Sequence, residues 1–256
     1  MKLYVFLPCY NEELNIIDLI NAWILQVDEL LALNYKLEIF CIDDSSKDTT
    51  KVKINDMCSK YDYIHLIEHE ENKGLCGGLN TAISSFISIG ENDSLMVLMD
   101  GDNTHNPKYV LSMLDKINRG FDCVIASRYE KFSNVVGVAP HRRFMSDMAR
   151  YYYRFILKVP NVHDYTCGYR VYTYEIIKRL VEKFGNNPIK EKSFACMMEF
   201  LYKLYLVGAE FSEVGFELRY DYKKGASKMK VIKTMLKSLT TALKLRRLRK
   251  VINYGN

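Results

Sequence analysis

Asp100 and Asp102 stand one residue apart in SLMVLMDGDNTHNP (94–107), directly after the apolar run Leu95 to Met99. Paired carboxylates beside a diphosphate can share a hard divalent cation. Mg2+ or Mn2+ takes one or two protein carboxylates and completes its shell with phosphate oxygens and water. Gly101 between them offers the bend that turns both side chains toward one volume. An Asp-Gly turn is the plainer use of the same residues, but the position behind a buried-looking strand favours the cation. CIDDSSKDTT (41–50) sets Asp43, Asp44 and Asp48 beyond a second apolar run. A carboxylate there accepts hydrogen bonds from ribose hydroxyls or base N–H groups. Ser46 or Asp48 is needed to cap the following helix, yet three carboxylates in six residues exceed that need. PCYNEE (8–13) closes the first apolar run. By themselves Glu12 and Glu13 could simply favour a helix N-terminus.

These clusters need elements to position them. Strand-like runs cover Leu3 to Leu7 (closed by Pro8), 36–42, 63–69, 94–99 and 122–127. Residues between them carry apolar positions at helical spacing, such as Ile16, Leu19, Ile20, Trp23, Val27, Leu30 and Leu31 over 12–33. Helices also follow over 49–59, after the glycines of 74–78, and from Pro107. Strands alternating with helices predict an α/β fold: a mostly parallel, Rossmann-like sheet with right-handed crossovers. Ligands of such sheets gather at the strands' carboxyl ends. Each polar cluster, including Ser127–Arg128, falls at such an end. The glycines of NKGLCGGLNTA (72–82) match neither G-x-G-x-x-G nor G-x-x-x-x-G-K-[ST], which excludes the dehydrogenase and P-loop readings. They suit close helix–sheet packing instead. The second half, roughly 137–228, is more aromatic, with helices near 141–158, 173–184 and 194–207 and a strand near 210–218.

The chain has 256 residues, 48% hydrophobic and 26% charged, a balance that suits a soluble globular protein. Its net charge of +5 is gathered in the last thirty residues. Seven cysteines show no C-x-x-C spacing and an odd count. Neither a zinc site nor a disulfide framework is indicated, and a reducing cytosol is the expected setting. No leader peptide and no run of eighteen apolar residues stands out, so a membrane span is not expected.

LPCYNEE, IDDSSKDT, NKGLCGGLNTA, MDGDNTHNP, ASRY and DYTCGYRVYTYEII occur in the order and spacing of family 2 glycosyltransferases with the GT-A fold. The chain resembles most the polyprenyl-phosphate glycosyltransferase group, of which dolichyl-phosphate mannosyltransferase is the familiar member, over about residues 3–230. That resemblance implies a nucleotide diphosphate sugar donor (a GDP- or UDP-sugar) and inverting transfer. By position, Pro8, Tyr10, Glu12 and Ile42 would line the base and ribose pocket, with Asp44 on the base. Asp100, Gly101 and Asp102 would form the metal–diphosphate clamp. Arg128 and Arg170 would face phosphate or sugar oxygens, with an ordinary surface pair as the alternative, and Lys228 would close over the donor's phosphates. Two departures stand out. Tyr222 occupies the place of an Arg three residues before GASK (225–228), with Arg219, Lys223 and Lys224 nearby. A Lys offers a point charge and no bidentate fork. No multi-span region follows.

A sugar hydroxyl acceptor needs a general base, whereas a lipid phosphate is already anionic. Asp164 and Glu199 are the candidate bases, and Glu199 could equally pair with Lys203 at i, i+4. Q-x-x-R-W, a processive signature, is absent. The sequence implies one glycosyltransferase domain over 1–228, divided into a nucleotide-sugar half (1–130) and an acceptor half (131–228), with a basic helix over 229–256. On that helix Ile232, Met235, Leu236, Leu239, Leu243 and Ile252 form one face, opposed by Lys230, Lys233, Lys237, Lys244, Arg246, Arg247, Arg249 and Lys250. It could lie on an anionic membrane, dock a membrane-protein partner, or pack on its own domain. ARYYYRFILKV (149–159) is a second aromatic–basic segment that could face lipid. The expectation is a peripheral enzyme on the cytoplasmic face of a membrane, acting on polyprenyl phosphate or, alternatively, a glycan. A non-catalytic nucleotide-binding scaffold is a weaker alternative, and the basic tail lacks a nucleic-acid reading module.

Overall fold

The computed structural model describes residues 1–222, 224 and 231–254. Lys223 and Lys228 lie outside the described residues. The first half alternates as expected: β1 (Lys2–Cys9), α1 (Ile16–Ile24), α2 (Val27–Ala32), β2 (Lys36–Asp43), α3 (Thr50–Cys58), β3 (Ile64–Glu68), α4 (Gly74–Ile89), β4 (Leu95–Leu98), α5 (Val110–Asn118) and β5 (Cys123–Ser127). Then follow β6 (Asn134–Val136), α6 (Pro140–Leu157), β7 (Arg170–Thr173), α7 (Tyr174–Phe184), α8 (Cys196–Leu206), β8 (Phe211–Gly215), β9 (Glu217–Arg219) and α9 (Val231–Tyr254). The main sheet runs β3-β2-β1-β4-β7-β5-β8. Leu3 to Leu7 and Leu95 to Leu98 are buried throughout because helices cover both faces, which is why those strands read as unbroken apolar runs.

Three features depart from the sequence reading. The helix expected over 12–33 is two helices. At the joint the Gln26 N–H reaches back three residues to Trp23 O while its side-chain amide takes Ala22 O, and the chain tightens there. Leu30 keeps its core place, but Leu31 turns to solvent. Second, β7 is antiparallel and lies between β4 and β5, pairing Arg170 with both Leu98 and Ile125. Four residues opening on an Arg carry too short a signal for a strand. Third, β6 and β9 form a small separate parallel pair.

The tail helix packs on its own protein. α9 lies against α6 and α8, and among its described side chains the buried ones are Ser238, Thr241, Ala242 and Leu245. Of the expected apolar face, Leu239 is partly buried against the core, whereas Leu243 is 45% exposed, which corrects its place there; the side chains of Ile232, Met235, Leu236 and Ile252 lie outside those described. Tyrosine hydroxyls on α6 select the inward face. Tyr153 shares a short hydrogen bond with Ser238, and Tyr152 donates to Leu239 O at 3.1 Å. Hydroxyls at a packed interface need partners, which Ser238 supplies through its side chain and Leu239 through its main-chain carbonyl. Glu191 adds an anchor, accepting from Thr241 Oγ1 at 3.0 Å and pairing with Lys237 at 3.0 Å. Partial burial would raise its carboxyl, but the Ser193 N–H, Lys237 and the Ser193 and Thr241 hydroxyls hold it at about 2.

Candidate active site

The carboxyl ends of β1, β2, β4 and β5 supply the rim. At β2, Asp44 is buried and its carboxylate is well occupied. It accepts the Lys73 and Gly74 N–H groups, each at 2.8 Å, and meets His69 Nδ1 at 2.7 Å. Gly74, with φ of +68°, makes the turn that brings those amides inward. Asp44 therefore fixes the loop opening α4. The neighbouring acids are spent on loop amides: Asp43 takes the Ser46 N–H, while Asp48 takes the N–H groups of Thr50 and Glu13; the residue at the N-cap of α3 is Thr49 rather than Ser46 or Asp48. Glu12, buried at the end of β1, accepts from Asn15 Nδ2 at 2.7 Å. Asn15 also exchanges hydrogen bonds with the main chain of Lys224, which therefore lies against this end of the sheet. Pro8 and Tyr10 are partly exposed beside it. Ile42 is different. Its side chain is fully buried and its carbonyl accepts from Cys9 Sγ, so the place given to it in a nucleotide pocket is corrected to one in the core.

Asp100 and Asp102 follow β4. Thr104 orients Asp102, donating to Oδ1 through its N–H at 3.2 Å and its hydroxyl at 2.7 Å. The structure gives Gly101 a different task from the one expected. Its φ is not left-handed. Instead a Cβ there would stand 2.9 Å from Cys9 Cβ and 3.0 Å from Pro8 O, so glycine is required by the closeness of β1. Gly168, which the sequence reading passed over, is the companion: a Cβ on it would lie 2.8 Å from both carboxylate oxygens of Asp100. Gly78 likewise lets α4 approach Pro8, where a Cβ would come within 3.0 Å.

Beyond β5, Arg128 forks onto Asp164. Nε meets Oδ2 at 2.7 Å and Nη2 meets Oδ1 at 2.6 Å, while the Arg128 N–H adds 3.2 Å to Oδ2. Asp164 is wholly buried and also takes the Thr166 and Cys167 N–H groups. Burial alone would raise its pKa; the guanidinium's charge and fork outweigh that and hold the carboxyl down at about 2. A carboxylate so engaged is a poor proton acceptor, which corrects its place among candidate bases. Arg128 keeps about 20% of its side chain exposed, and the fork leaves Nη1 to solvent or ligand.

The turn at 163–168 ties these parts together. Glu213 on β8, nearly buried, accepts the His163 and Asp164 N–H groups at 2.7 and 2.8 Å. Burial, with the charge of Asp164 close by, pushes its carboxyl up. With Glu130 and His163 it forms a three-residue group able to hold a cation, which no spacing in the sequence announces. Arg170, expected on phosphate or sugar oxygens, is instead engaged by main-chain carbonyls. It is fully buried, donating Nη2 to Tyr165 O and Nη1 to Met197 O, each at 3.0 Å. It opens β7 beside the end of β4, but the two carbonyls engage its guanidinium, and its role there is to brace the turn.

Glu199, on α8, pairs with Lys203 at 2.6 Å and accepts the Lys190 and Glu191 N–H groups at 2.9 and 2.7 Å. The i, i+4 pair weighed against a catalytic role is present. Arg219, beside the Tyr222 departure, is held by Asp221 and stacks 4.1 Å from the Tyr222 ring.

A family model described as glycosyl transferase family 2 matches residues 4–181. The chain is 32% identical over 205 residues to a dolichol-phosphate mannosyltransferase of Pyrococcus furiosus, covering 79% of this chain and 53% of that protein. It is 27% identical over 227 residues to a polyprenol monophosphomannose synthase of Mycolicibacterium smegmatis, covering 88% and 80%. The match thus spans about half the length of the Pyrococcus protein. Among solved structures, a mannosyltransferase of Pyrobaculum calidifontis in complex with GDP-Man and Mn2+ superposes with a TM-score of 0.54 at 14% identity, covering 99% of this chain and 75% of that one. This is a likeness of fold.

Proposed function

The chain belongs to glycosyl transferase family 2, and from that premise we propose that it transfers a sugar, with inversion, from a nucleotide diphosphate sugar to a polyprenyl phosphate at a membrane surface. The observation carrying the acceptor is the engagement of both candidate bases: Asp164 by Arg128, and Glu199 by Lys203 and two amides. A hydroxyl acceptor would need one of them to take its proton, whereas a phosphate monoester attacks as an anion. The names of the Pyrococcus and Mycolicibacterium relatives agree with that acceptor and make GDP-mannose the first donor to try.

Asp100 and Asp102 are the residues that would hold Mg2+ or Mn2+. The donor set is hard oxygen, as such ions prefer, and the cradle at Gly168 that a Cβ would fill gives the Asp100 carboxylate its room. A bound cation would offset the charge that grows on the departing nucleoside diphosphate. Pro8, Tyr10 and Glu12 border the base and ribose, and Asp44 sets the loop beside them. Arg128, pre-oriented by its fork to Asp164, would turn Nη1 to an anionic oxygen without reorganising during transfer. Lys228 remains a proposed phosphate contact outside the described residues.

The test offers the purified protein GDP- and UDP-sugars with Mn2+ and either polyprenyl phosphate or saccharide acceptors. A lipid-linked sugar, lost on Asp102→Ala, is the expected product. Product with saccharides alone would overturn the acceptor assignment, and an Asp102→Ala variant as active as its parent would overturn the metal assignment.

A further inference from the structure

α6 turns a row of large apolar side chains away from the protein. Phe144, Met148, Tyr151 and Phe155 are between 56% and 69% exposed. Their spacing of four, three and four residues places them on one stripe, opposite the buried Tyr153 and Leu157. The sequence of α6 holds one acid, Asp147, against four arginines, and Lys158 follows directly. Arg143, Arg154 and Lys158 are exposed beside the stripe. An apolar stripe bordered by cations fits the interface of an anionic bilayer, where rings enter the acyl boundary and the cations stay with headgroup phosphates. Among the described residues no helix is long and apolar enough to cross a membrane, so such a helix would lie on the surface.

The same helix grips the loop that carries Arg128. Tyr129 bonds through its hydroxyl to Ser146 Oγ at 2.9 Å, and the Arg150 guanidinium sits 4.2 Å above the Tyr129 ring. We propose that α6, rather than the basic tail helix α9, beds its Phe144–Phe155 stripe into an anionic bilayer, and that Tyr129 thereby holds Arg128 at the depth of the headgroup phosphates. The docking stands on α6 alone; the placement of Arg128 rests on the polyprenyl-phosphate reading.

The experiment measures co-sedimentation of the full chain with phosphatidylcholine vesicles, with and without phosphatidylglycerol. It compares the parent, Phe144→Ser/Phe155→Ser and Arg246→Ser/Arg247→Ser, after matching their thermal melts. The parent should bind the anionic vesicles, and the α6 variant should lose about ten-fold or more in binding. Its transfer to long-chain polyprenyl phosphate in those vesicles should fall in step, while transfer to a short water-soluble prenyl phosphate persists. Equal binding by parent and α6 variant, or a loss confined to the α9 variant, would overturn the proposal. A parent that binds vesicles through α6 yet glycosylates no prenyl phosphate would uphold the docking and remove the acceptor reading.

Discussion

Replacing Asp164 with Asn removes one charge and leaves the shape. Oδ1 can still accept the Thr166 and Cys167 N–H groups, but the fork to Arg128 is broken. The carboxyl sits at about 2 in the fold against an ordinary 3.8. At ~1.4 kcal/mol per unit, that depression corresponds to about 2.5 kcal/mol of stability, an order-of-magnitude figure. The folded pKa is the lower one, so the contribution is complete above the unfolded value of 3.8 and is lost as pH falls through about 2. Urea unfolding of parent and Asp164→Asn should therefore differ by about 2–3 kcal/mol from neutral pH down to about pH 5. The gap should close to about half by about pH 3. Transfer should drop along with stability at neutral pH, because Arg128 no longer has a fixed direction, while donor binding is kept. A gap below about 0.5 kcal/mol, or one that does not narrow in acid, would refute the account of Asp164 as the residue that orients Arg128.

Gly168→Ala would push a methyl into the Asp100 carboxylate. We expect Mn2+-dependent nucleotide binding, read by calorimetry, to weaken about ten-fold with little change in melting, since the carboxylate is the part able to move; unchanged affinity would separate Asp100 from the cation. Glu199→Gln should cost about 1–3 kcal/mol, because the buried Lys203 loses its counter-charge while keeping the Pro188 carbonyl, and leave turnover within about three-fold. A loss of about 10²-fold or more in kcat would restore Glu199 as a base.

The parallel half of the fold was legible because β1, β4 and β5 are buried almost throughout and the segments between strands carry apolar residues at helical spacing. The acidic rim was legible for a related reason: polar residues directly after unbroken apolar runs mark strand ends. What escaped were features that depend on partners distant in the chain. β7 has four residues and becomes a strand only because β4 and β5 flank it. Arg170 reads as a phosphate ligand until its two carbonyl partners are seen. Gly168 has no local signal at all, because its reason is the Asp100 side chain arriving from another strand. On α9, hydropathy ranks leucine above serine and so gives no sign that the Tyr153 hydroxyl finds its partner in the Ser238 side chain.

The intervening strand β7 also acts as a gauge. Asp100 hangs from the strand on one side of it and Arg128 from the strand on the other. Adjacent strands lie about 4.8 Å apart, so the two supports are held roughly 10 Å from each other by backbone hydrogen bonds alone. Loops around the rim can change, as at Tyr222, without altering that interval. A ligand that must touch both residues is then selected by its length, and the ruler is a piece of main chain that no side-chain substitution at the rim can stretch.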